Sequence, residues 1–532
     1  MRRLVVISLV LLVALAAIIA VAAVAVAPLS EDRAREKLVA SLSEHLDAQV
    51  ELKELHLQTL PSLRAEGRGL TIRHRGRTDV PPLITIAHFS AEAGLLTFWR
   101  HHISRVTIDG LDIAIPPDRN DDARPRKDVD EEPAGAPSLR QPDRAEAIAR
   151  ALIVDHLYSM NARLTIIPSK PGKAPRVWNI HDLHMTSVAA GTAMPFEATL
   201  TNAVPPGEIV TRGSFGPWAP DEPGDTPLDG LFTFAHADLG VFNGISGTLS
   251  ARGQFGGKLD RIDVHGETDT PEFRIVKTGG QPVPLHATYH TIVDGTNGNT
   301  ILDEIDATFL NTRLVAKGTV LGNPTKHGRT TTLDVSIDRG RLEDLLRLAV
   351  NAPKPPMTGS LRLKTSFVLP PGDVDVVNKL RLDGHFTLAG ARFMSDTVQR
   401  KIAELSRRGR GHPDDVQDPA HVLSKFDGRF KLSGGTLQIP DVTFDVPGAL
   451  VQLAGNYQLE REDMNFKGTL FMDAKISDTT TGIKHVLLKA IDPLFKRDGG
   501  GSAIPIKITG TRANPSFGLD KGRIFSHDTS AN

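Results

Sequence analysis

Residues 428–439, GRFKLSGGTLQI, carry Phe430 and Leu432 two positions apart, then Leu437 and Ile439 two positions apart, with Gly434 and Gly435 between the runs. A period of two puts every apolar side chain of a strand on one face and the polar ones on the other. The same signature, a glycine with apolar residues two and four positions on, recurs as Gly230-Phe232-Phe234, Gly247-Leu249-Ala251, Gly359-Leu361-Leu363 and Gly384-Phe386-Leu388. Working outward, short alternating runs begin at Val50 and Leu52 and continue through Leu70 and Ile72, Ile84 and Ile86, Val106 and Ile108, and Ile113 and Ile115. Gly, Pro, Asn and Asp punctuate them, as strands bounded by turns require. The spacing of the runs is irregular, so the chain is not a strict repeat. The reading is a mainly β chain of about 25 strands in one long, twisted and curled antiparallel sheet, an open trough or taco-like form. At ~4.8 Å between neighbours such a sheet would extend about 120 Å.

A few short amphipathic helices interrupt the strands. Ala34, Leu38, Val39, Leu42 and Leu46 fall at helical spacing within Glu31 to Leu46, and further helices are expected over Ala145 to Val154, Arg341 to Val350, Met394 to Arg408 and Thr480 to Phe495. The last carries one wide apolar face, including Val486, Leu487, Ile491 and Leu494. It reads as a helix packed on the sheet, with an interfacial role as the sharper alternative.

Ahead of these elements, Arg2 and Arg3 precede an uncharged apolar run from Leu4 to Ala27 in which Ser8 is the only hydroxyl. A helix over that run covers about 36 Å, enough for a hydrocarbon core of roughly 30 Å. A cleavable signal peptide is the rival, favoured by the basic start and by Ala25-Val26-Ala27. The length of the run and Pro28 just after it favour a retained anchor. The arginines inside and the acidic Glu31 and Asp32 beyond orient it with the N-terminus in the cytoplasm and the body outside, the periplasm of a double-membraned bacterium. Between Pro116 and Pro142 the chain is dense in Pro, Asp, Arg and Lys, which reads as a solvated linker dividing it. The divisions are therefore a stub with anchor (1–29), an N-terminal helix and strands (30–115), the linker (116–143), a middle β-rich region (144–374), a C-terminal β-rich region with helices (375–520) and a disordered tail (521–532).

The chain has 532 residues, and 62 Lys and Arg against 63 Asp and Glu, which removes the broad basic footprint of a nucleic-acid binder. No nucleic-acid partner is expected. The absence of cysteine excludes disulfides, thiolate nucleophiles and Cys-based metal sites. Of 19 histidines the closest groups are His101 with His102 and His181 with His184, and neither has a metal-ligand spacing. Gly499-Gly500-Gly501 is followed by Ser502 and builds no phosphate cradle. The basic run Arg407, Arg408 and Arg410 closes a helix, where cations complement the dipole. Adjacent acids such as Asp303-Glu304 and Asp414-Asp415 point to opposite faces of a strand and cannot converge as an acid/base pair. No catalytic, cofactor or metal residues are expected, and the chain reads as a non-enzyme.

So many half-apolar strands with so few helices leave a covering problem, since the apolar face of a sheet must be buried. The sheet either closes on itself as a sandwich or barrel, or curls into a trough whose apolar interior something else fills. Lipid acyl chains would serve, with headgroups left in water. Phe386, Leu388, Phe430, Leu432, Leu437 and Ile439 are the candidate groove lining; if the sheet closes they are ordinary core.

Both ends of the chain also carry a family likeness. At the N-terminus it is the anchor, the helix, Val50-Glu51-Leu52 leading into Leu60-Pro61-Ser62-Leu63, then Pro82-Leu83-Ile84 and Val106-Thr107-Ile108-Asp109-Gly110-Leu111. At the C-terminus it is Phe444-Asp445-Val446-Pro447-Gly448-Ala449, Gly455-Asn456-Tyr457, Gly468-Thr469-Leu470 and the closing Pro505-Ile506-Lys507-Ile508-Thr509-Gly510-Thr511 followed by Pro515. In these the sequence resembles the AsmA-like family, inner-membrane-anchored periplasmic proteins of outer-membrane biogenesis grouped with TamB and the chorein-type bridge-like lipid transfer proteins. The likeness covers roughly residues 1–115 and 375–520. It implies a long curled sheet with an apolar groove and a role in phospholipid traffic, and it supplies no catalytic residues. A scaffold or regulatory interaction protein without lipid ligand is the alternative. An envelope hydrolase would need His, Asp, Glu or Ser converging from distant strands.

Overall fold

The computed structural model describes residues 31–522 except 46–47, 59–60, 75–79, 95–101, 116–152, 169–174, 190, 220–221, 243, 277–278, 323–327, 373, 416–417, 480–494, 498–499, 512–513 and 521. The anchor expected over Leu4 to Ala27, the linker 116–143, nearly all of the helix candidate Thr480 to Phe495 and nearly all of the tail lie outside the described residues. Among the described residues no helix is long and apolar enough to cross a membrane. The protein is mainly β, with 25 strands in one hydrogen-bonded sheet and four α-helices among the described residues. It divides into two compact units, the first formed by residues up to Asp238 with 250–266 and 292–298, the second by 239–249, 267–291 and 299 onward.

Unit 1 opens with α1 (Glu31–His45), whose acidic first turn, Glu31 and Asp32, complements the helix dipole. Ala34, Leu38 and Leu42 lie four residues apart on one face and are all buried in the core, as the helical spacing predicts. They pack with β1 (Ala48–Glu51) and β2 (Glu54–Gln58), which together flank β3 (Leu63–His74). From there the pairing runs through β4 (Ile84–Ala93), β5 (His102–Ile115), β6 (Ile153–Ile166), β7 (Arg176–Val188), β8 (Met194–Thr201), β9 (Glu208–Phe215) and β10 (Pro227–Asp238) to β12 (Thr248–Lys258).

One pairing departs from the expected antiparallel sheet. β5 and β6 are parallel, with Ile108 opposite Ser159 and Ile113 opposite Leu164. A parallel pair needs a crossover of a dozen residues or more to return the chain to the same end. Residues 116–152 supply it, so the segment read as dividing the chain joins two adjacent strands that share a core. His102 Nδ1 lies 2.8 Å from an Asp155 carboxylate oxygen, and Asn161 Nδ2 donates to Asp109 at 2.8 Å, clasping the pair from the polar side. The helix expected over Ala145 to Val154 is corrected at its end, where Ile153 and Val154 open β6 and bury Val154 in the core.

A line of irregularities crosses these strands. The ladder pairs Gly69–Ala87, Ala87–Gly110 and Asn161–His181 are missing, with the register unchanged on either side. On β5 the buried set changes parity there, from Val106 and Ile108 to Leu111, Ile113 and Ile115. Gly110 has φ +66°, and a Cβ on it would come 2.8 Å from the Ala87 Cβ, so only glycine takes that step without strain.

Unit 2 contains β11 (Ile245–Ser246), paired with the end of β13 (Arg261–Ile275), and part of β14 (Val283–Val293). It continues as a meander of antiparallel neighbours: β15 (Thr300–Phe309), β16 (Thr312–Gly322), β17 (Arg329–Arg341), β18 (Met357–Leu369), β19 (Arg381–Phe393), β20 (Ser424–Ser433), β21 (Thr436–Val446), β22 (Ala449–Gln458), β23 (Asp463–Met472), β24 (Ser502–Thr511) and β25 (Pro515–Leu519). Two of the predicted helices are present, α2 (Leu342–Ala349) and α4 (Asp396–Gly409); α3 (Val376–Lys379) is a single turn the periodicity did not indicate. Leu342 and Leu345 of α2 pack on Leu361, Leu388 and Ala391, and Ile402 and Leu405 of α4 pack on Val446, Ala449 and Met472. The Ser395 hydroxyl caps α4 by accepting from Val398 N.

Candidate functional site

The core face of β5 to β10 in unit 1 is not filled. A cavity of about 440 Å³ opens there, between Leu111 and Ile113 of β5, Ile180 and Met185 of β7, Phe196 and Leu200 of β8 and Phe215 of β9, with Phe255 of β12 also in its wall. Ligand sites commonly have volumes of about 300–1,000 Å³ with mostly apolar walls and few polar groups. Here the polar side chains of the wall are Ser159 and Thr211. Thr211 Oγ1 donates to the Leu231 carbonyl at 3.0 Å. Ser159 is fully buried and its hydroxyl has no partner among the described residues. Its neighbours in register, Ile108 and Leu183, are buried hydrocarbon. A hydroxyl left in that state costs about 1–3 kcal/mol. Arg163, between the lining residues Ala162 and Leu164, is exposed and stands in register with Asp112 and Asn179 on the opposite face of the strands.

In unit 2 all six residues expected to line a groove stand on one face of the sheet. Leu382 pairs with Leu432, and Leu432 with Leu437 on the next strand; Phe386 and Phe430 have ring centroids 6.3 Å apart. The register line through Ile337, Leu363, Phe386 and Gly428 continues to Ile506 and Leu519 on β25 without meeting a polar residue. Its cover is uneven. Leu388 (3% exposed) is packed beneath α2, and Leu432 (7%) is buried as well. Phe386, Phe430, Leu437 and Ile439 are only half-buried, and Phe517 at the edge is 71% exposed.

The opposite face of unit 2 is charged. Lys431 pairs with Asp383 at 2.8 Å and Arg429 with Asp441 at 2.6 Å, while Asp427 accepts from Thr387 Oγ1 at 2.8 Å and lies 3.2 Å from His385 Nε2. The Thr387 hydroxyl holds the Asp427 carboxyl below its ordinary range; burial opposes it, and the hydrogen bond and charge of His385 add to the lowering. Such a sheet is amphipathic across its thickness.

The candidates weighed for chemistry are dispersed. His181 meets Thr201 Oγ1 at 2.7 Å, whereas His184 stacks on Tyr158 with centroids 4.4 Å apart and faces His156, Nδ1 to Nε2 3.3 Å. Asp303 pairs with His290. Arg408 pairs with Glu404 at 2.5 Å, Arg407 donates to the Asp415 carbonyl and Arg410 to that of Ser406. His101 and Gly499 lie outside the described residues. Among the described residues no group of three or more His, Asp or Glu could hold a metal ion.

The cavity escaped the sequence reading. Its one local signal was Ser159, a hydroxyl two positions after Leu157 where the alternation calls for an apolar residue.

Compared with models of known families, with curated proteins and with solved structures, the chain finds no match.

Proposed function

We propose that this chain is a non-enzymatic lipid-handling protein of a bacterial envelope, anchored in the inner membrane through Leu4 to Ala27 with its body in the periplasm. It holds phospholipid or another acyl-chain ligand during outer-membrane biogenesis, as the likeness to the AsmA-like family implies. The observation that carries the reading is the apolar cavity of unit 1, about 440 Å³ bounded by side chains such as Phe196, Phe215 and Phe255. Transferring hydrocarbon from water into such a space is favourable by roughly 25 cal/mol per Å². The half-buried apolar face around Phe386, Phe430, Leu437 and Ile439 offers a second surface of the same chemistry. The alternative, a periplasmic scaffold without lipid, is favoured by the tight packing of Leu388 with Leu361 and Ala391.

Photocrosslinking in living cells separates the two. The full chain with p-benzoylphenylalanine in place of Phe196 is irradiated, purified and analysed by mass spectrometry, with the same replacement at the exposed Arg212 as control. A lipid adduct at position 196 and none at 212 supports lipid handling. An unmodified position 196 in folded protein moves the assignment to the scaffold.

A further inference from the structure

The unit 1 cavity contains a polar group that nothing among the described residues satisfies. Ser159 Oγ is buried, has no hydrogen-bond partner among the described residues and belongs to the cavity wall. Water is a poor occupant, because a buried water needs two to four polar partners. The other wall hydroxyl, Thr211, already gives its proton to the Leu231 carbonyl. The missing partner must therefore arrive with something that also fills an apolar space.

We infer that the cavity binds an acyl chain with its carbonyl group inside, the carbonyl oxygen accepting a hydrogen bond from Ser159 Oγ. A hydrocarbon tail fits the wall, and the carbonyl is the acceptor that fatty acids and their esters share. Ser159 thus sets how deep the chain enters, and pure hydrocarbon is held less well than a chain with a carbonyl. The inference rests on the lipid-handling reading and adds to it the depth and polarity of the bound group.

The test uses the full chain in detergent, with p-benzoylphenylalanine at position 196 as reporter and radiolabelled palmitate, methyl palmitate and hexadecane as probes. The half-saturating concentration for crosslinking is measured for Ser159, Ser159→Ala and Ser159→Thr. Loss of one neutral hydrogen bond weakens binding roughly 3- to 10-fold. Ser159→Ala is expected to raise the value for both carbonyl probes by that factor and leave hexadecane unchanged; Ser159→Thr, which keeps the hydroxyl, stays near wild type. The unchanged hexadecane value reports that the variant is folded. Binding of palmitate alone marks a free fatty acid site, and binding of both carbonyl probes also admits ester lipids. Equal shifts for all three probes, or no shift for any, overturn the role of Ser159 while lipid handling stands. Absence of crosslinking by every probe to the reporter chain overturns both.

Discussion

Gly384 on β19 stands directly opposite Phe430 on β20, and a Cβ on the glycine would come within 2.7 Å of the ring Cζ. Phe386 stands opposite Gly428 on the same pair of strands, where a Cβ on the glycine would instead meet Val442 of β21. Unit 1 repeats the Gly384–Phe430 relation between β10 and β12, where Gly230 leaves room for Phe255 and Gly253 for Phe232. Gly384, Gly230 and Gly253 each leave room for a ring of the neighbouring strand, so the Gly-x-Phe spacing is a packing device of paired strands.

Gly384→Ala is accordingly expected to destabilise the protein by about 1–3 kcal/mol, the usual cost of forcing an extra methyl into a packed site. Gly191 is the control, because a Cβ added there would meet nothing within 4 Å, and Gly191→Ala should change little. Thermal melts of the two variants decide it; equal melting temperatures would remove the packing role of the Gly–Phe pair.

On the apolar face of unit 2, the degree of burial separates fold from ligand. Leu388→Asp puts an unpaired carboxylate into a packed cluster and should prevent stable folding, at a cost of several kcal/mol. Ile439→Asp alters a half-buried position, should keep the circular dichroism of the folded protein, and should abolish lipid crosslinking from p-benzoylphenylalanine at position 430. A folded Ile439→Asp protein that crosslinks lipid as wild type does would exclude this face from lipid binding.

Arg163→Gln removes a charge from the opposite face of the same strand and leaves Ser159 in place. Binding of palmitate and of methyl palmitate should both be unchanged, because the Arg163 side chain stands with Asp112 and Asn179 away from the cavity. The comparison is read from the same crosslinking titration. A loss for palmitate alone would place the Arg163 charge at the carboxylate of the bound chain.

Asp427 supplies a pH dependence. Its folded pKa lies below its unfolded value of about 3.9, so its pairing with Thr387 and His385 contributes stability above that unfolded value. The contribution is lost as pH falls through the lower, folded pKa. Asp427→Asn should therefore be less stable than wild type at pH 6 and should lose less further stability on acidification below about pH 4. The effect is small, since both Asp427 and His385 are about half exposed to water (46% and 52%). Parallel melting curves for the two proteins from pH 6 to pH 3 would show that the pairing contributes nothing.

Much of the fold was legible in the residues themselves. Alternation at Phe430 and Leu432 or at Val106 and Ile108 is a local property, as is the four-residue spacing of Ala34, Leu38 and Leu42. Strands and the helices α1, α2 and α4 follow from it, together with the sidedness that places Phe386, Leu388, Phe430, Leu432, Leu437 and Ile439 on one face. What tertiary structure alone decided is pairing. Backbone hydrogen bonds between strands carry no side-chain label, so nothing local distinguishes a parallel partner from an antiparallel one, and the β5–β6 pair emerges only when the chain crosses back through residues 116–152. The cavity is of the same kind. Ser159 is one hydroxyl in an alternating run until β5 and β7 bury it beside Ile108 and Leu183, and the space before it exists only because distant strands bring large side chains to its rim and leave its centre open.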